Sequence, residues 1–246
     1  MPKTTASALL WLCCGFLFSY NSYANEIRFL SHSIKPFTYD EKGEMKGFAV
    51  EIVETLMERT NTREKISLYP FKRALKNVQS KDDHALFIVA RIPERENTVK
   101  WVGPIFSSDV YFYKKKGSAI SIRSIDDIRK VRSIGVQLGN ADFTYLTGLG
   151  VTNFSQTISH TQSIKMLNKG RIDITPISEF VLPYVTAEAG IDINNFERIN
   201  FKLYESSLYI AFSKNVPNET IVAWQNALTS IKSSGLYAEI YQKYSD

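Results

Sequence analysis

Cysteine is almost missing from this sequence. The two in its 246 residues, Cys13 and Cys14, stand side by side near the start. Beyond residue 24 the chain can therefore form neither a disulfide nor a cysteine-ligated metal site, and its stability has to come from packing. Histidine is scarce as well: His32, His84 and His160 stand apart and read as ordinary surface or loop residues. No Ser/His/Asp set, HExxH or EF-hand pattern appears, so neither a hydrolytic centre nor a resident cofactor is expected. Internal repeats and low-complexity tracts are missing too. The net charge of +5 is spread along the chain, and Lys114, Lys115 and Lys116 make up the one cationic run. With no basic helix or aromatic RNA-binding motif beside it, that run reads as a solvated connection, and nucleic acid is excluded as a partner.

A long apolar stretch occurs once, from Ala6 to Phe18, after the basic Lys3. It falls short of the ~20 residues that a membrane span needs. Ser22 and Ala24 put small residues at both positions a signal peptidase reads, so residues 1–24 are expected to be a secretory signal cleaved before Asn25. Lipidation at the cysteines is not expected, because Leu12 and Cys13 stand where a lipobox carries a small residue. The rest is long enough for one large domain or two modest lobes, and a content of 13% aromatic and 44% hydrophobic residues excludes disorder.

What is present centres on residues 85–113, ALFIVARIPERENTVKWVGPIFSSDVYFY. Residues 85–90 are continuously apolar and β-rich, as in a strand buried on both faces, and Pro93 ends further pairing. Arg91 and Arg95 then fall just past a strand's carboxyl end, where open α/β sheets bind ligands. A guanidinium there can grip a carboxylate with two parallel bonds. It can equally pair with Glu94 or Glu96 on the surface, and the local sequence leaves both readings open.

Elsewhere strands and helices alternate, which indicates parallel α/β sheets. Strands are expected at residues 27–31 and 66–68, with a hairpin turning at Lys42 and Gly43. An amphipathic helix is marked by Phe48, Ile52 and Leu56. YPFKRALKNV begins a second helix, placing Tyr69, Phe71 and Arg73 at a strand-to-helix edge. After KKKGS a new βα series begins, with strand SIGVQL, a helix after Gly139 and Asn140, and a helix stopping at Gly170. Strand IDITPI follows, then a helix from Ser178 that Pro183 is expected to bend. ERINFKLY and SLYIAFSK read as two extended segments before Pro217 opens a helix carrying Trp224 and Leu228 inward.

In order, GFAVEIVETLMER, YPFKRALKNV, ARIPERENTVKWVGPIF, IGVQLGN, MLNKGRIDI and NALTSIKSSGLYAEIYQKY resemble the bacterial extracellular solute-binding proteins of family 3, the polar amino acid type. The resemblance implies a two-lobed α/β fold of the type II periplasmic-binding-protein class, with crossover hinge strands near residues 111–115 and 205–209. Residues 25–112 and 208–246 would form lobe 1, and residues 113–207 lobe 2. It also implies that Arg95 holds a ligand carboxylate and that Phe37 and Phe71 flank the ligand side chain. Arg73 and Arg91 are further candidates, and backbone N–H groups at Gly139, Asn140 and Ala141 would give a second anion anchor.

There are three departures from the family pattern: Ala90 replaces a hydroxyl residue, Asn140 and Ala141 replace threonine or serine, and Ser178, followed by Glu179, stands where an aspartate would hold a ligand ammonium. The implied function is a monomeric periplasmic protein that does no chemistry. It would capture a small carboxylate-bearing polar solute, an amino acid or a relative, for an inner-membrane ABC-type permease. Two alternatives go with the scaffold: a secreted enzyme of the cyclohexadienyl dehydratase or lytic transglycosylase kind using Glu179, and a soluble sensing subunit for a membrane receptor.

Overall fold

The computed structural model describes residues 27–245, so the expected signal at residues 1–24 lies outside the described residues. Strand β1 (Arg28–Ser31) leads through a tight turn into the hairpin of β2 (Tyr39–Glu41) and β3 (Glu44–Lys46). Helix α1 (Phe48–Arg59) then buries Phe48, Ile52, Val53 and Leu56 on one face, the stripe its spacing foretold. Strand β4 (Ile66–Leu68), helix α2 (Phe71–Ser80) and strand β5 (His84–Ala90) follow, with β1 pairing parallel to both β4 and β5. Pro93 opens the one-turn helix α3 (Pro93–Glu96), where its missing N–H costs nothing.

The long strand β6 (Lys100–Lys115) carries the chain into a second βα series. This comprises α4 (Ile125–Lys130), β7 (Ile134–Gln137), α5 (Ala141–Gly148), β8 (Phe154–Thr157), α6 (His160–Asn168), β9 (Ile174–Ser178) and α7 (Leu182–Ala189). Strand β10 (Phe196–Phe212) returns to the first half, and α8 (Asn218–Ser233) and α9 (Leu236–Gln242) pack there. Phe29 stacks on Trp224 at 5.0 Å, which pins α8 under the first half of the sheet.

The strands form one sheet in the order β4-β1-β5-β10-β6-β9-β7-β8. Its two flanks are parallel, as the alternation of strands and helices implied, but its middle is antiparallel: β10 pairs antiparallel with β5 and β6, and β6 antiparallel with β9. The reason is the chain path, since β6 is the outward trip between the halves and β10 the return. Residues 111–114 of β6, within the expected crossover at 111–115, pair with β9 inside the second flank. The stretch between the flanks is Ser107, Ser108 and Asp109, opposite Ser207, Ser206 and Glu205.

Two expectations change. ERINFKLY and SLYIAFSK are one strand, because ladder pairing carries the polar residues Glu205, Ser206 and Ser207 that interrupt the apolar pattern. The helix expected from Ser178 starts instead at Leu182, which leaves Pro183 in its first turn with nothing to bend.

Candidate functional site

A cavity of about 100 Å³, room for one small solute, opens where the carboxyl ends of β1 and β5 face the start of α5. Each wall is held by a local device. At Gly47, φ is +126° and an added Cβ would sit 2.4 Å from the Phe37 carbonyl oxygen, so only glycine fits. That close approach lets the first N–H groups of α1 find partners: Phe48 donates to the Pro36 carbonyl at 2.9 Å and Ala49 to that of Phe37 at 3.0 Å. The turn carrying Phe37 to the cavity is thereby fixed. On β5, Ile88 has φ +62° and is passed over in the register with β10, a bulge that frees it to line the cavity.

Arg95 is 5% exposed. Its Nη1 donates to the Ala90 carbonyl at 3.0 Å and its Nη2 to the Gly139 carbonyl at 3.0 Å, while its guanidinium lies over the Phe71 ring, 5.4 Å from the centroid. Among the described residues no carboxylate pairs with it. Burial pulls its pKa down to about 10, so it stays charged at neutral pH. His32, just past β1, is 8% exposed, packs edge-on to Phe71, and has a buried Nδ1 without a partner. Burial first, then the charges of His160 and Arg95, lower its pKa to about 4.

The opposite wall is a hydrogen-bonded set on α5 and β10. Asn140 caps α5, its Oδ1 accepting from the Phe143 N–H at 2.9 Å, and its Nδ2 donates to Asp142 Oδ2 at 2.6 Å. Tyr204 donates its hydroxyl to Asp142 Oδ1 at 2.5 Å. Asp142 is 6% exposed, and burial raises its pKa against the lowering effect of His160 and these two donors. His160, at the start of α6, also lines the cavity, and burial lowers its pKa. Ser178 Oγ shares a 2.7 Å hydrogen bond with Ser108 Oγ and accepts from the Phe180 N–H.

Of the residues singled out from the sequence, Arg95, Phe37, Phe71, Asn140 and Ser178 come together on this cavity. Three do not. Arg91 pairs with Glu96 and lies over the rings of Trp101 and Tyr209 in a separate shallow groove. Arg73 is exposed beside Tyr69, and Glu179 is paired with Arg198 on the surface. His32 and His160, read from the sequence as ordinary surface or loop residues, instead line the cavity, and His84 is buried in β5.

Residues 29–246 match the sequence family of bacterial extracellular solute-binding proteins, family 3. The chain belongs to that family. Among curated relatives of this solute-binding protein, an arginine-binding periplasmic protein from Mannheimia haemolytica is 28% identical over 247 residues, covering 98% of each chain. A probable histidine-binding protein from Neisseria gonorrhoeae is 26% identical over 219 residues, covering 85% of this chain and 78% of its own. An ancestral arginine-binding protein solved with arginine bound superimposes with a TM-score of 0.77 at 20% identity, covering 89% of this chain and 98% of its own, which shows a shared two-lobed fold. No helix among the described residues is long and apolar enough to cross a membrane.

Sequence reasoning missed His32, Asp142, His160 and Tyr204 in this solute-binding protein. A usable signal existed for two of them. His32 follows a buried strand at the same sheet edge as Arg91, and Asp142 lies in the first turn of the helix that IGVQLGN opens.

Proposed function

We propose that this protein captures a small polar solute bearing a carboxylate, an amino acid or a close relative, in the periplasm. It then presents that solute, as a monomer, to an inner-membrane permease of the ABC type. One observation carries the reading: Arg95 is buried on the cavity wall with carbonyl partners but no carboxylate. A desolvated guanidinium is costly to leave without a counter-charge, and a ligand carboxylate would supply that charge through two charge-assisted bonds. Phe37 and Phe71 supply apolar walls for the rest of the solute, and Ser178 a neutral hydroxyl. The family membership and the amino-acid-binding relatives support the same reading.

Residues up to 106 and from 208 onward form the lobe bearing Arg95, and residues 110–204 form the lobe bearing α5. The lobes hinge about the polar strand stretches 107–109 and 205–207, and closure excludes water from the ion pair and strengthens it. The protein does no chemistry: Glu179, the acid an enzyme reading requires, is half-exposed and neutralised by Arg198.

A thermal-shift screen over the amino acids, small peptides and organic acids tests this. A ligand at 100 times its dissociation constant adds about 2.7 kcal/mol and shifts the transition upward. If no carboxylate-bearing solute moves the transition, the reading is wrong.

A further inference from the structure

We propose that a groove on the first lobe, running between α2 and the edge strand β4, binds a phosphate-bearing anion at a site separate from the solute cavity. The groove has a volume of about 530 Å³ and shares no lining residue with that cavity. Strand β1 leads from one to the other. It starts at Arg28 in the groove and ends just before His32 on the cavity wall, a span of roughly 13 Å at about 3.3 Å per residue. The proposal does not depend on which solute the cavity takes.

The strand register builds the floor of the groove. Leu30 and Leu86 pack in one cluster with Ala74 and Val78 of α2, so the two-residue period of a strand turns Arg28 and His84 to that same face. Arg28 is the ladder neighbour of His84 on β5. Phe29 is the ladder neighbour of Ile66 on β4, so one step earlier Arg28 stands beside Lys65. Lys65, Arg28 and His84 thus form a row across three adjacent strands, about 4.8 Å from one backbone to the next. Like charges side by side repel, and neither Arg28 nor Lys65 has an ion pair or a side-chain hydrogen bond among the described residues. Arg63 and Lys81 add two more cations to the lining, against Glu64 as its acid. Asp82 and Asp83 do not line the groove, and the Asp82 carboxylate is engaged by Asn215. The excess positive charge is left for a ligand to balance.

His84 points to a ligand independently. It is 7% exposed and lines the groove. Its Nδ1 lies 2.6 Å from the Asp82 carbonyl oxygen, and because a carbonyl only accepts, Nδ1 carries the proton. Its Nε2 has no partner among the described residues. A nearly buried ring nitrogen left open on the wall of a cationic groove calls for a polar group from whatever fills it. The backbone holding it is tied down: the His84 N–H donates to Ser213 Oγ at 3.2 Å, and the Arg28 N–H to the Asp83 carbonyl at 2.8 Å.

Phosphate suits these groups better than a carboxylate. A phosphomonoester brings about −1.5 to −2 charges at neutral pH and three strong acceptor oxygens. Arg28 and Arg63 offer guanidinium forks that match such oxygens, and Nε2 of His84 can accept from a P–OH. A single carboxylate brings less charge and fewer oxygens to the same row. The phosphate could belong to a soluble phosphomonoester or to the headgroup of an anionic phospholipid, and its chemistry in the groove would be the same.

The test is calorimetric titration of the intact protein with glycerol 3-phosphate at about 0.15 M salt, where loose surface attraction is screened. Two double variants are compared with wild type. Arg28→Gln with Lys65→Gln removes the cationic row, and Lys115→Gln with Lys116→Gln removes equal charge from an exposed run in the second half of the sheet. Wild type should bind with a dissociation constant of about 1 mM or tighter. The groove pair should weaken binding about tenfold or more, and the lysine-run pair less than about twofold. The groove pair should melt no lower than wild type, since it relieves a repulsion. His84→Leu, which removes the open nitrogen, should weaken binding about threefold or more.

Vesicles of phosphatidylglycerol, set against vesicles of phosphatidylcholine, identify the source. Capture of wild type on phosphatidylglycerol that the groove pair loses assigns the phosphate to a lipid headgroup; binding of glycerol 3-phosphate without capture assigns it to a soluble ester. Equal weakening by the two double variants would reduce the groove to unspecific surface charge and overturns the proposal. So does a lack of binding to both probes, or binding that His84→Leu leaves unchanged. Citrate held as tightly as glycerol 3-phosphate overturns the choice of phosphate.

Discussion

Arg95 reaches across the cavity and donates a 3.0 Å hydrogen bond to the carbonyl of Gly139, 44 residues further along the chain and on the other half of the sheet. Its second arm holds the Ala90 carbonyl at the end of β5. One guanidinium thus joins the strand that delivers it to the helix start that faces it.

The first prediction concerns binding. Arg95→Ala should raise the dissociation constant of a ligand found by the screen by roughly 30-fold to a few thousand-fold, the usual cost of ~2 to 5 kcal/mol for truncating one partner of a buried charge pair. Arg95→Lys should recover only part of this, since a point charge cannot replace the fork. Glu179→Gln should change binding less than twofold, because its carboxylate is engaged by Arg198 on the surface. Calorimetry checks all three, and an Arg95→Ala protein that binds within twofold of wild type would remove Arg95 from the site.

The second prediction concerns shape. With the Arg95 to Gly139 bond made, the two halves touch beside the cavity, and hinge closure on a solute predicts that they part when it is absent. Small-angle scattering should therefore show a larger radius of gyration without ligand than at saturation. Identical profiles would count against hinge closure.

A third prediction tests how the Phe37 wall is built. At Gly47, φ of +126° and the 2.4 Å approach to the Phe37 carbonyl leave no place for a Cβ. Gly47→Ala should cost about 2 kcal/mol or more through strain and displacement of the turn. For a protein of this size that lowers the melting temperature by roughly 4 to 8 °C. Gly43→Ala is the comparison: it has a positive φ too, but nothing lies within 4 Å of its added Cβ, so its loss should be smaller. Equal losses would mean that the contact with Phe37 is unimportant.

The sequence carried the repeating features well. α1 follows from Phe48, Ile52 and Leu56, β5 from its unbroken apolar run, and Arg95 and Asn140 from motifs that end a strand or start a helix. It carried single groups poorly. His32 and His160 are 128 positions apart, and only the sheet order brings them to one cavity. Asp142 acquires its setting from Tyr204, on a strand whose polar middle hid its continuity. Periodicity reports what a segment buries; it says nothing about which lone titratable groups a return strand will place face to face.

The last prediction follows from His32. Burial favours its neutral form and lowers its pKa from 6.5 to about 4. The unfolded chain therefore takes up a proton at a higher pH than the native state does. The resulting stability is fully present above pH ~6.5 and is lost as pH falls toward 4. His160, also lowered by burial, acts in the same direction, whereas Asp142, raised by burial, acts in the opposite one; Arg95 stays charged throughout. At one pKa unit per 1.36 kcal/mol, His32 alone should account for about 2 to 3 kcal/mol between pH 7 and about pH 4.5. Denaturant unfolding of wild type and His32→Gln at both pH values isolates this share, because the surface carboxylates titrate alike in the two proteins and cancel in the difference. The variant should lose less stability on acidification by that amount. An unchanged acid loss would mean that His32 is solvated in the native state and that its ring nitrogen is not an orphan.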